Sequence, residues 1–220
     1  MLPLTLNSRI YHSMGFFLFT RTRRWIQCLG ITVLSGVLIV LCGPVSYELN
    51  PQGGYLIAVA AQIPLIPAIA IQSSVNAGLG ERERYAVRST RKLRLLHLIT
   101  LASASLLLLG IASRWLEAPE SIMSNGYADL GPLAIGRNLI ALLGAALIGA
   151  SIFGQAFGWI IPLAWAILPF LVLPDPRDDD LGLLTLIMQG EEAFLPLIFA
   201  MGICALGVLL AINNVGSRRS

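Results

Sequence analysis

The chain has 220 residues, of which 56% are hydrophobic and 12% charged, with a mean hydropathy of +0.77 and a formal net charge of +3. Soluble domains carry about a quarter charged residues, so this composition excludes a water-soluble domain: too few polar residues are present to cover it. The natural solvent for most of the chain is lipid, and no nucleic-acid partner is expected.

The first 24 residues hold Ile10, Tyr11, Met14 and Phe16–Phe19 ahead of the basic cluster Arg21, Arg23 and Arg24. A full-length apolar run follows with no small-residue cleavage site, so this is not read as a cleaved signal peptide. Two readings stand: a cytoplasmic amphipathic elbow helix on the inner interface, or an unstructured basic tail.

Six apolar runs then follow: Trp25–Leu41, Tyr55–Ile71, Leu95–Ala112, Leu139–Phe153, Phe157–Leu173 and Phe194–Ile212. Each approaches the ~20 residues that cross a hydrocarbon core. None contains Asp, Glu, Lys or Arg; the short fourth run is expected to extend back through Pro132, with Arg137 near the interface. The fourth and fifth are separated only by Gly154–Ala156, which suits either a tight helical hairpin or one long bent helix. The expected fold is therefore an all-α membrane protein, a single six-helix domain over residues 25–213 with a cytoplasmic tail at 214–220.

Charge sets the orientation. With both termini cytoplasmic, the inner side holds twelve basic residues: Arg9, Arg21, Arg23, Arg24, Arg82, Arg84, Arg88, Arg91, Lys92, Arg94, Arg218 and Arg219. The outer side holds three, Arg114, Arg137 and Arg177. This asymmetry follows the positive-inside rule and sets both termini inside. The outer loops are then 43–54, 113–136 and 174–193. The last contains Asp175–Asp180 followed by Leu181–Met188, an octet too short to span and expected as a short outer amphipathic helix before the sixth span.

The main inner connection, residues 72–94, begins with Ser73, Ser74, Asn76, Gly78 and Gly80 and continues as Glu81-Arg82-Glu83-Arg84-Tyr85-Ala86-Val87-Arg88. Glu81 with Tyr85 and Arg84 with Arg88 share helical i,i+4 spacing. The stretch is either a topology signal that also binds anionic lipid headgroups or a docking element for a cytoplasmic partner.

Catalytic chemistry is sparse. His12 and His97 do not make a haem or metal site, and no metal is expected. Cys28, Cys42 and Cys204 sit in or beside apolar runs as small hydrophobes. Gly149-Ala150-Ser151 lacks the sixth-helix histidine of a membrane serine protease, and Glu191-Glu192 lacks the arginine and histidines of a glutamate protease. Ala145 with Gly149, and Gly154 with Gly158, give small-xxx-small spacing for helix packing or a subunit interface. Pro64 and Pro67, and Pro162 and Pro169, bend or unwind the second and fifth runs, either as ordinary kinks or to line a cavity.

Taken together, the N-terminal elbow, six spans, inner helix between spans two and three and short outer insertion resemble the type-2 permease subunits of ABC exporters. The stretch from Gly136-Arg137-Asn138-Leu139 to Gly144, and Gly158-Trp159-Ile160-Ile161-Pro162-Leu163, is similar to small actinobacterial permeases of that kind. The resemblance implies a bacterial cytoplasmic membrane and a non-enzymatic permease that exports an amphiphilic peptide, antibiotic or lipid-like substrate. Its coupling helix would comprise Asn76, Gly80, Glu81, Arg82, Glu83, Arg84, Tyr85 and Arg88, docked on a cytoplasmic ATPase subunit. ATP and magnesium would sit on that subunit, since this chain has no GxxxxGK[ST]. The pathway between two permease copies, or a copy and a paralogue, would be lined by Gln62, Pro64, Pro67, Trp159, Pro162 and Trp165. The alternative is a non-transporting membrane scaffold or assembly subunit, which explains the sparse chemistry equally well.

Overall fold

The computed structural model describes residues 24–42, 46–48, 56–76, 91–115, 131–171, 186–188 and 194–213. They form α1 (Trp25–Cys42), β1 (Ser46–Glu48), β2 (Leu56–Ala58), α2 (Val59–Gln62), α3 (Leu65–Asn76), α4 (Arg91–Ser113), α5 (Pro132–Phe153), α6 (Ile160–Leu171) and α7 (Phe194–Asn213). Single 3₁₀ turns lie at Gln155–Phe157 and Leu186–Met188. The elbow, the Gly80–Arg88 stretch and most of the outer loops lie outside the described residues.

Four helices are long and apolar enough to cross a membrane: Trp25–Cys42, Lys92–Ser113, Pro132–Phe153 and Phe194–Asn213. At 1.5 Å per residue they reach roughly 27 to 33 Å, the thickness of a hydrocarbon core. The other two apolar segments, Val59–Val75 and Gln155–Leu168, are shorter and interrupted.

The second apolar run is not one helix. Its start, Leu56–Ala58, pairs antiparallel with Ser46–Glu48, placing Tyr47 opposite Ile57. This hairpin satisfies backbone groups that a helix beginning at Tyr55 would have used. The helix then breaks at Ile63–Pro64 and restarts as α3. Pro64 immediately precedes that restart and Pro67 lies in its first turn, where N–H groups have no intrahelical partner. The two prolines thus begin a new helix rather than bend a continuous one. Pro132, Pro162 and Pro196 occupy the first turns of α5, α6 and α7 in the same way.

The junction after α5 is a hairpin. Gly154 adopts φ 93°, a conformation that side chains disfavour, and this ends α5 at Phe153. The chain returns so closely that a β-carbon on Gly149 would lie 2.7 Å from the carbonyl oxygen of Gly158.

Interhelical pairs give the relative directions. Thr32 meets Ser105 and Gly36 lies against Ala112, so α1 and α4 run parallel. Ser74, near the end of α3, meets His97, near the start of α4, while Cys28, near the start of α1, donates to the carbonyl of Ala70 in mid-α3, so α3 runs oppositely to both. Gly144 lies against Cys204, and Leu147 lies beside Gly207, so α5 and α7 are parallel. α5 is the hub: Ile135, Leu139, Leu142, Leu143 and Leu147 are all buried in the main core. By contrast α7 leaves Phe194, Leu195, Met201 and Leu209 exposed, as a lipid-facing helix does.

Candidate functional site

Two polar clusters lie inside this apolar bundle. The first joins α1, α3 and α4. Thr32 Oγ1 lies 3.0 Å from Ser105 Oγ and also donates to the carbonyl of Cys28 at 2.9 Å. Ser74 Oγ lies 3.2 Å from His97 Nε2, and its hydroxyl is 2.8 Å from the carbonyl of Ile71. His97 is 0% exposed, so the imidazole is sealed between helices rather than extended to an interface. Every one of these groups is neutral or can be, which suits a low-dielectric interior.

The second cluster surrounds the break between α2 and α3. Asn138, on the second turn of α5, donates through Nδ2 to the carbonyls of Ile187, at 2.7 Å, and Ala61, at 3.2 Å. It therefore ties α5 to the end of α2 and to the 3₁₀ turn beyond α6. Its Oδ1 accepts from Arg137 Nη2 and Nε at 3.3 and 3.4 Å. Arg137 is only 2% exposed. α5 begins at Pro132, as expected from the sequence, and packs the guanidinium between helices. Sequence spacing offered a signal, since Arg137-Asn138 interrupts an otherwise apolar stretch between Leu133 and Leu143.

Gln62 is the exception to this pairing. Its Oε1 and Nε2 are both shielded from solvent and have no hydrogen-bond partner among the described residues. It ends α2, directly after the Ala61 carbonyl that Asn138 occupies. An unsatisfied buried amide costs about 1–3 kcal/mol, so this group marks a locally unfavourable arrangement at the helix break.

The proposed pathway residues divide between two places. Gln62, buried Pro64 and buried Pro67 line the α2–α3 break. Trp159 lies in the turn before α6, 41% exposed, with its indole N–H donating to the carbonyl of Ala156 at 2.9 Å. Pro162 is buried in the first turn of α6, and half-buried Trp165 meets Phe199 of α7 edge-on at 6.5 Å. The two groups are linked where Gln72 of α3 packs against Gly158: a β-carbon there would meet the Gln72 amide at 2.7 to 2.8 Å. Of the inner-loop residues, Asn76 closes α3, while Gly80, Glu81, Arg82, Glu83, Arg84, Tyr85 and Arg88 lie outside the described residues.

Among the described residues no group of three or more His, Cys, Asp or Glu side chains is placed to hold a metal ion. No family model matches the chain, and neither a curated protein nor a solved structure is similar to it.

Proposed function

We propose that this chain is a six-pass permease subunit of an ABC exporter, with both termini in the cytoplasm of a bacterial cell. The observation that carries the reading is the pair of interrupted apolar segments, α2–α3 and Gln155–Leu171, that meet at Gln72 and Gly158 beside the long α5. Broken helices are tolerated at membrane depth where protein buries them or a cavity adjoins them. They are natural moving parts, because neighbouring helices already satisfy the freed backbone groups.

Directional alternation supports six passes, with the shorter segments making the second and fifth. The twelve-to-three distribution of basic residues supports the inward placement of Asn76–Arg88. That stretch is the docking element for an ATPase subunit, and two permease copies, or one and a paralogue, enclose the route. The cargo is an amphiphilic peptide, antibiotic or lipid-like molecule. ATP and magnesium belong to the partner, so the chain itself is not an enzyme.

Affinity purification of the chain from its native membrane tests this reading. The expected result is a co-purifying complex whose ATPase activity depends on the permease. Replacing Glu81, Arg84 and Arg88 together should abolish that dependence while leaving membrane insertion intact. Recovery of a membrane enzyme or respiratory subunit with no ATPase would instead favour the scaffold role.

A further inference from the structure

On the lipid-facing side of α1 and α4 lies an open groove of about 310 Å³. Its floor is made by two small residues, Gly36 and Ala112, where a β-carbon on Gly36 would be 3.5 Å from that of Ala112. Its walls are Val33 and Val37 on one side and Leu108 and Ile111 on the other. All nine lining residues are aliphatic, aromatic or glycine. Because α1 and α4 run parallel, the groove follows both helices toward the same membrane face. From Val33 to Leu41 it extends roughly 12 Å, at 1.5 Å per residue.

The groove ends at an exposed turn. Trp115, itself part of the lining and 65% exposed, stands at its end. Arg114, also exposed, shares that turn, with its amide donating to the carbonyl of Ile111. Tryptophan favours the level of lipid headgroups, and a neighbouring guanidinium presents a fork of donors to phosphate. An apolar channel that ends at a turn bearing an exposed cation has the polarity order of a phospholipid.

We propose that this groove is a phospholipid site, with one acyl chain between α1 and α4 and the lipid phosphate on Arg114. The site requires that these helices cross the membrane but does not depend on a transport role. Proximity alone favours occupancy, since lipid chains surround both helices. Arg114 adds the preference for a phosphate-bearing headgroup, worth about 1 kcal/mol, or roughly fivefold.

Native mass spectrometry of the full chain, purified in detergent and exposed to defined lipids, tests the site. The probes are phosphatidylglycerol and a diacylglycerol of the same chain length. The expected result is one tightly retained phosphatidylglycerol per chain and at least about fivefold less diacylglycerol. Val37→Trp fills the groove from an exposed position, so folding should persist, and it should lower retention of both probes more than about tenfold. Arg114→Gln should remove only the preference for phosphatidylglycerol. Equal retention by wild type and Val37→Trp would overturn the proposal. So would a wild-type chain that retains neither probe, or a Val37→Trp chain whose main change is loss of a dimer, which would make the groove an interface between copies. Leu41→Trp, at another lining position, provides a second fill should the first variant not insert.

Discussion

Gly144 of α5 lies directly against the backbone of Cys204 in α7: a β-carbon on Gly144 would be 2.6 Å from both the Cys204 Cα and its amide nitrogen. One turn along, a β-carbon on Gly207 would be 2.5 Å from the carbonyl of Gly144. The two helices are therefore joined by reciprocal glycines. In lipid, where apolar burial drives association weakly, such close backbone packing is a principal attraction between helices.

Gly144→Ala should accordingly force α5 and α7 apart and lower stability by about 1–3 kcal/mol, despite the better helix propensity of alanine. Gly202→Ala on the same α7 is the control, because nothing lies within 4 Å of its added methyl. Thermal unfolding in one detergent compares the two. A Gly144→Ala protein as stable as Gly202→Ala would refute the close crossing.

The paired amide and the unpaired amide near the α2–α3 break predict opposite signs. Asn138→Ala removes its bonds to two carbonyls and from Arg137 and should destabilise by about 1–3 kcal/mol. Gln62→Leu removes a buried amide with no hydrogen-bond partner among the described residues, so stability should rise by about 1 kcal/mol. Melting curves that fall for both variants would show that Gln62 has a structural partner after all.

Thr32 and Ser105 contribute one neutral interhelical hydrogen bond between parallel helices. Such bonds average about 0.6 kcal/mol in membrane bundles, because the separated helices find other partners. A double-mutant cycle with Thr32→Val and Ser105→Ala should return a coupling of about that size. Coupling above about 2 kcal/mol would mean that the pair belongs to a larger cooperative network.

At the α5–α6 hairpin, Gly154→Ala should cost more than about 1 kcal/mol, since φ 93° strains any residue bearing a β-carbon. Gly158→Ala should be destabilising for a different reason, its methyl striking the Gln72 amide. Trimming that side chain with Gln72→Ala should recover part of the loss, whereas it should not rescue Gly154→Ala. Chemical unfolding of the three single variants and the two double mutants separates backbone strain from the side-chain clash.

Much of the architecture was already present in composition and order. The four span-length helices are long apolar runs, and their hydrophobicity alone requires lipid around them. Runs of this length dominate local energetics, so Trp25–Cys42 and Phe194–Asn213 formed close to where the sequence placed them. The breaks at the second and fifth segments also had local signals in Pro64 and Gly154.

What those breaks became depended on distant contacts. Pro64 could bend a helix or begin one; the pairing of Leu56–Ala58 with Ser46–Glu48 and the Asn138 bond to Ala61 favour a separate start. Gly154 fits a bent helix as well as a hairpin until Gly158 packs on Gly149. Arg137 is the sharpest case. Charge statistics assign it to an interface, because a lone guanidinium in lipid is costly. Its burial follows from the bundle closing around Arg137 and Asn138 together. Sequence thus determined that the helices live in a membrane, through the cost of exposing them to water. Tertiary packing decided which polar groups could remain inside, because Asn138 reaches Ala61 and Ile187, and Thr32 reaches Ser105, only when distant elements meet.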